Sequence, residues 1–427
     1  MGLTQRDLIN ERYYERLLND VESGLVAPSR DFLEYLADSL ETTIEEFVGY
    51  PLATSAALNP AVTPVLPVNT EASSQERALM NAHIQVETGQ PAAALSFLQP
   101  HNPEETPVEL KGVFYRVRGY ALLSLRRFQE AEADLEKALA LFEEFQPTHI
   151  FQIEITRNLI GLNFYRQNQI KEALKYHQQC LEAVTSGQIT NPRFRLMLFS
   201  NLANEYYLLG KWELALAIYK KDALPLAEQG EDDLLVAAIF WGAGLAFQSG
   251  GELGQAALCL DRSVHLYRKQ EAWHLAVQVQ DQLGLLFIRR KDYKLAEEVL
   301  LSALSLVETM DEPRIRAFVN LNTAYLYSQI GELNRAIEFV ETSIKIGRDL
   351  GDALLLGQTL NTLAEIKMAQ NEPEIAFQVY EEAISLLSQT DQLLILENVM
   401  QDYADALKSQ GHLEKALEIR FKMRQFA

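Results

Sequence analysis

Cysteine is scarce in this chain. There are two, Cys180 and Cys259, in 427 residues, with no CxxC and no Cys/His grouping. That scarcity excludes a disulfide-framed scaffold and a zinc module, and it is the usage of a reducing compartment. Basic residues are also short: 38 Lys and Arg face 59 Asp and Glu, a formal net charge of −21. A surface so acidic argues against broad, sequence-independent binding of nucleic acid or anionic membranes. The longest apolar run, 234–247, is 14 residues, too short to span a bilayer. No basic-plus-apolar leader opens the sequence, so the expected location is the cytoplasm and no membrane partner is expected. Catalytic signatures are missing too. No G-x-x-x-x-G-K-[ST] loop or H-E-x-x-H occurs, and the seven histidines are scattered. No catalytic residue, metal ligand or cofactor is therefore assigned, and the chain is expected not to be an enzyme.

What is present divides into three zones. Residues 1–50 are helical in pattern. Residues 51–73 hold Pro51, Pro60, Pro64 and Pro67, a density that forbids a regular helix and favours a semi-stiff linker. From 74 to 427 the pattern is helix after helix.

Internal repetition dominates this third zone. A small residue is followed twelve positions later by alanine, eight times: Gly119/Ala131, Gly161/Ala173, Ala203/Ala215, Gly244/Ala256, Gly284/Ala296, Ala324/Ala336, Ala364/Ala376 and Ala404/Ala416. Three residues after the first small position stands a bulky one, Leu122, Phe164, Tyr206, Phe247, Phe287, Tyr327 or Leu407; Lys367 is the exception. A small residue on one helix and alanine on the next permit close backbone approach. The bulky side chain fills the groove beside it. Such a hairpin cannot bury its apolar face alone, so neighbours must stack. The pattern resembles the tetratricopeptide repeat. Its spacing of 40–42 residues exceeds the usual ~34, so the helices or the loops between hairpins must be longer, similar to kinesin light chains and bacterial peptide-sensing regulators. A weaker unit at Ala82 and Ala94 brings the total to about nine. The predicted fold is all-α: a right-handed α-solenoid of about nine long hairpins, preceded by a small helical domain.

In such a solenoid the first helix of each hairpin lines a concave groove. Here that face carries Asn158, Asn201, Asn204, Gln278, Gln282, Asn322, Gln358, Asn361 and Asn398. An amide donates to a carbonyl and accepts from an N–H at once, so a ladder of them suits an extended peptide backbone. The bland alternative is that a polar helix face simply needs polar residues. Arg116 and Arg195 lie on or near the same face, where they would receive a ligand carboxylate. Cys180 and Cys259 read as buried thiols of the second helices, His177 as a core or boundary histidine, and most carboxylates as solvated outer faces.

The opening segment, TQRDLINERYYERLLNDVESGLVAPSRDFLEYLADSLETTIEEFVG, resembles the lambda-repressor-like (XRE) helix-turn-helix family. The resemblance rests on Thr4–Gln5, Glu22–Ser23–Gly24, Pro28–Ser29 and the apolar run Phe32, Leu33, Leu36, Ala37 and Leu40. It implies that Gln5 touches the DNA backbone and that Tyr14, Glu15, Arg16 and Asn19 face the major groove. Two departures stand out. The family's first helix has no counterpart before Gly2, so the expectation is either an upstream segment that supplies it or a segment retained as a helical cap or dimerisation piece. Four arginines oppose eleven acidic residues in residues 1–50, a balance of −7, which is poor for phosphate contact.

Helix-turn-helix, proline-rich linker and long repeats together resemble the Rap/NprR/PlcR/PrgX group of quorum-sensing regulators. That resemblance implies a transcriptional regulator whose groove binds a short signalling peptide. The competing expectation is an adaptor that binds a partner protein, such as a response regulator, and does not read DNA. A homodimer is the expected assembly.

Overall fold

The computed structural model describes residues 74–423, except 88, 107, 145–149, 231 and 391. The helix-turn-helix segment, with Gln5, Tyr14, Glu15, Arg16 and Asn19, and the linker at 51–73 lie outside the described residues. Those residues form two compact units, 74–250 and 251–423. Both are all-helical, and no strand occurs among the described residues.

Residues 74–250 comprise α1 (Ser74–Glu87), α2 (Pro91–Leu98), α3 (Val108–Ser124), α4 (Phe128–Glu144), α5 (Ile150–Arg166), α6 (Ile170–Thr185), α7 (Pro192–Leu208), α8 (Trp212–Ile218), α9 (Leu224–Ala227) and α10 (Asp233–Ser249). Residues 251–423 comprise α11 (Leu253–Lys269), α12 (Trp273–Arg290), α13 (Tyr293–Val307), α14 (Pro313–Gln329), α15 (Leu333–Leu350), α16 (Ala353–Ala369), α17 (Pro373–Leu387), α18 (Leu393–Ser409) and α19 (Leu413–Met423). Among the described residues nine helix pairs follow one another, as the repeat count implies. The residues beyond a standard repeat are spent in the helices. First helices run 17 or 18 residues from α3 onward, and the turns after them are two or three residues.

Packing follows the repeat. Ala131, Ala173, Ala215, Ala296, Ala336, Ala376 and Ala416 are all buried. A Cβ added at Gly119 would meet Leu135 at 2.8 Å, at Gly161 His177 at 2.5 Å, and at Gly284 Leu300 at 2.6 Å. Each obstacle stands sixteen residues after its glycine. The second helix thus drops one side chain onto the first helix's glycine in these repeats, and Leu135, His177 and Leu300 are all buried.

The turns share one device. Seven residues after the small position φ is positive in all eight repeats: Arg126, Asn168, Gly210, Gly251, Lys291, Gly331, Asn371 and Gly411. The next N–H then reaches back to the carbonyl of the bulky residue, as in Arg127 to Leu122 at 2.9 Å and Glu332 to Tyr327 at 2.9 Å. This left-handed cap satisfies carbonyls left open at the helix end. Lys367, in the one repeat lacking a bulky residue there, accepts the same bond from the Glu372 N–H at 2.9 Å and adds its ammonium, donating to Gln370 at 3.0 Å and Glu372 at 2.9 Å.

One second helix departs from regularity. Between α8 and α9 the chain makes a π turn over Tyr219–Ala223, where the Leu224 N–H bonds the Tyr219 carbonyl. Pro225 follows directly, and a proline's missing N–H breaks the ordinary ladder.

Candidate functional site

The inner polar residues of the first helices occupy fixed repeat positions. Asn158, Asp281 and Asn361 stand three before the small residue; Asn201, Asn322 and Asp402 stand two before it in the next repeat. The structure pairs them across consecutive first helices. Asn201 Nδ2 donates to Asn158 Oδ1 at 3.1 Å, Asn322 Nδ2 to Asp281 Oδ2 at 2.7 Å, and Asn361 Nδ2 to Asp402 Oδ2 at 3.0 Å. Three polar rungs therefore join α5 to α7, α12 to α14 and α16 to α18.

Beneath the first rung lies a wholly buried ion-capable pair. His177 and Glu205 are each 0 % exposed, with Nδ1 and Oε1 2.5 Å apart. His177 Nε2 faces the Asn158 carbonyl at 3.2 Å, and Glu205 Oε2 has no partner. Burial pushes the Glu205 carboxyl up, against the pull of His177. Other repeats place Ala121, Ala246, Leu286, Leu326 or Ile366 where Glu205 stands, and the burial is the same. His177 is the core residue its repeat position implies. Its carboxylate partner is not among the sequence expectations, although one signal marks it: glutamate at a repeat position otherwise aliphatic, or asparagine in the case of Asn163.

Beside this pair, Tyr219 donates its hydroxyl to Asn204 Oδ1 at 2.6 Å. A Cβ at Gly242 would collide with that hydroxyl and with Asn204, so glycine is what α10 needs there. With the amides assigned by their hydrogen-bond network, Asn201 has committed its NH2 to Asn158 and keeps Oδ1 as an acceptor. Asn204 has committed Oδ1 to Tyr219 and keeps its NH2 as a donor. Neither remaining group has a partner among the described residues, and both side chains are half-buried, one turn apart on α7.

The other sequence-expected residues divide by environment. Gln278, Gln282 and Gln358 are half-buried, and their side-chain amides have no hydrogen-bond partner among the described residues. Asn322 is buried in its rung, Asn361 is half-buried, and Asn398 is exposed. Asn158 is buried and already bonded through both its side-chain and backbone oxygens. Arg116 is 3 % exposed, and its Nε has no partner. Arg195 is half-buried, its guanidinium 6.0 Å over the Phe199 ring.

Carboxylates do not all face water. Asp134 is buried and ion-paired to Arg118 at 2.6 Å, and Glu154 is buried beside Arg157 at 2.7 Å. Asp281 is pushed up to about 7 by burial, with the Asn322 amide opposing. Glu365 is likewise pushed up to about 7, first by burial and then by Asp402. The sequence expectation of mostly solvated faces fails at these positions because packed neighbouring helices cover them. Both cysteines are buried thiols without a disulfide, and burial raises Cys259 to about 12. No group of three or more His, Cys, Asp and Glu side chains suited to a metal ion occurs among the described residues. No helix among them is long and apolar enough to cross a membrane.

Comparison with known proteins agrees with this architecture. A family model described as tetratricopeptide repeat matches residues 113–186. The fold is similar to the apo form of RapI (TM-score 0.66, 14 % identity, 82 % of this chain and 97 % of that one). It is also similar to the apo quorum sensor NprR from B. thuringiensis (0.63, 16 %, 82 % and 97 %). A Rap protein complexed with competence and sporulation factor gives 0.60 at 14 % identity, with 82 % and 96 % covered. By sequence, the chain is 24 % identical over 218 residues to the 43 kDa receptor-associated protein of the synapse from Gallus gallus. That match takes in 50 % of this chain, which spans about half (52 %) of the curated relative's length. The likenesses establish a tetratricopeptide-type fold shared with Rap and NprR proteins.

Proposed function

We propose that this chain is a peptide-responsive regulator that holds an extended peptide backbone on the inner faces of its first helices. The observation that carries the reading is the pair on α7: an unspent acceptor on Asn201 beside an unspent donor on Asn204. Acceptor and donor one turn apart match the N–H and C=O that a peptide in extended form presents, whatever its side chains. The unpartnered amides of Gln278, Gln282 and Gln358 repeat the chemistry in residues 251–423. The fold shared with a Rap protein solved in complex with competence and sporulation factor supports the reading. Asn158, Asn322 and Asn361 serve it indirectly, as rung members that hold the faces in register. A link to DNA through residues 1–50 completes the regulator reading, with Gln5, Tyr14, Glu15, Arg16 and Asn19 at the contact.

A second reading, an adaptor that docks a partner protein and leaves DNA alone, is favoured by the −7 balance of residues 1–50. Calorimetric titration with extended hexapeptides tests the common part. The double variant Asn201→Ala, Asn204→Ala should lose about tenfold or more in affinity, the worth of two hydrogen bonds; unchanged affinity removes the pair from the site. A band-shift assay of the full chain on its own promoter separates the two outputs. A shift that responds to peptide supports the regulator, and none with intact peptide binding supports the adaptor.

A further inference from the structure

Within residues 74–250 one ion pair joins parts of the chain 106 residues apart. Arg193, at the start of α7, donates from Nη2 to Glu87 Oε2 on α1 at 3.0 Å and from Nε to Asp232 Oδ2 at 3.2 Å. Asp232 is held in turn as the N-cap of α10, accepting the Leu235 N–H at 3.2 Å. The Glu87 and Arg193 side chains remain about a third exposed, at 30 % and 33 %.

Close to this pair is a cation without a hydrogen-bonded counter-ion among the described residues. Arg116 on α3 is 3 % exposed, with Nε buried and unbonded. Burial draws its pKa down to about 10, and the negative charge that opposes this is Glu87. His83 stands one turn before Glu87 on α1. Its Nδ1 is buried and unbonded, and burial and then Arg116 hold its pKa low. Tyr120, one turn beyond Arg116, lies in the field of the same Glu87, Arg193 and Asp232 charges, with the exposed Arg166. A buried guanidinium without a hydrogen-bonded partner costs several kcal/mol in general. Its planar fork of donors fits one chemical class best, a carboxylate held by paired hydrogen bonds.

We propose that Arg116, His83 and Arg193 form a carboxylate-binding site, and that Glu87 is an internal occupant which the carboxylate of a bound peptide displaces. The inference rests on the peptide-binding reading above and adds to it the end or side chain by which the peptide is anchored. Glu87 is the movable member, since its side chain is partly exposed and free to turn towards water. Displacement exchanges the Glu87–Arg193 contact for a ligand contact, so peptide binding would release α1 from α7.

The test uses the full chain with its arginine Nε labelled with 15N, and Arg116→Lys and Arg193→Lys to identify the signals. Three probes are compared: pentaglycine with a free carboxyl terminus, pentaglycine amide, and Gly-Gly-Asp-Gly-Gly amide. The free acid or the aspartyl amide should move the Arg116 and Arg193 signals, and which of them does so separates a chain terminus from an acidic side chain. The uncharged amide should leave them in place. Glu87→Gln should tighten the responsive probe about fivefold, the lower end of ordinary coupling between sites. This variant changes a partly exposed side chain, so it keeps the test decisive even if Arg116→Lys fails to fold. Equal response to acid and uncharged amide, or no gain from Glu87→Gln, overturns the proposal. If hexapeptides then still bind in a manner that needs Asn201 and Asn204, the carboxylate site falls while the peptide-binding reading stands.

Discussion

The polar rungs of the two units are built alike and loaded differently. In residues 74–250 the Asn158–Asn201 rung is neutral and sits on the buried His177–Glu205 pair. In residues 251–423 the rungs Asp281–Asn322 and Asn361–Asp402 carry the carboxylate themselves. The repeat fixes where a polar bridge between neighbouring first helices fits. The side chains chosen decide whether its charge is balanced by a partner within the core or left to be relieved by a proton. At the rung of the first unit the carboxylate faces a histidine inside the core; at the Asp281 rung of the second, burial drives the carboxylate towards its protonated form.

Breaking the compensated pair should have the largest effect. Glu205→Ala strands His177 in the core, and a buried pair broken on one side costs about 3–5 kcal/mol. The double variant His177→Leu, Glu205→Ala puts apolar side chains at two positions that a later pair of repeats also fills with apolar residues, Leu300 and Leu326, both buried. It should recover most of the loss or exceed the parent, because replacing both members of a buried pair by apolar groups is often neutral or stabilising. Denaturant midpoints decide it. A double variant no better than Glu205→Ala would mean that the pair is irreplaceable in shape as well as charge.

Asp281 should give the next largest effect. Its folded-state pKa, about 7, lies above the ordinary 3.8, so the native state binds the proton more tightly than the unfolded chain. The stabilising contribution is therefore greatest below the unfolded pKa and is lost as pH rises from about 4 to about 7. At pH 8 the charged form costs the fold a few kcal/mol, at ~1.4 kcal/mol for each tenfold difference in proton affinity between the folded and unfolded chain. Glu365, also near 7, adds a change of the same sign. The thermal midpoint should fall between pH 5 and pH 8, and Asp281→Asn should flatten its part of that fall and raise the midpoint at pH 8. An undiminished slope in the variant would clear Asp281 of the role.

Gly161→Ala sharpens the packing side of the comparison. Its Cβ would meet the His177 ring at 2.5 Å, and that ring is fixed at both nitrogens. Overpacking at this site should outweigh the better helix propensity of alanine, a net loss of about 1–2 kcal/mol by denaturant titration. Smallest is Lys291→Gly. Lysine there holds φ at 63°, a conformation glycine adopts freely, and the variant should gain about 1 kcal/mol. A loss would show that the lysine side chain contributes more to the turn than its backbone costs.

The eight small-residue/alanine pairs make the hairpins legible in the sequence, because close helix approach leaves a strict demand for small side chains at a fixed interval. The turns are half legible. Gly210, Gly331 and Gly411 advertise a left-handed residue, but Arg126 and Lys291 adopt the same conformation, since the helices on either side impose it. The candidate site is less legible still. Helical periodicity places Asn158, Asn201, Asn204, Asn322 and Asn361 on one face, but not which of their hydrogen bonds are already spent on one another. That depends on a residue some 41–43 positions away on the next first helix.

What the sequence by itself determined is the repeat: all-helical hairpins, their number, their length and their small-residue seams, all set by local periodicity and steric demand. What only the tertiary structure decided is the electrostatic state of the inner face. Which amides keep a free donor or acceptor, which carboxylates are driven towards neutrality, and which arginine lacks a hydrogen-bonded counter-ion follow from desolvation and from partners on other helices. Neither quantity is written in the spacing of residues along one chain.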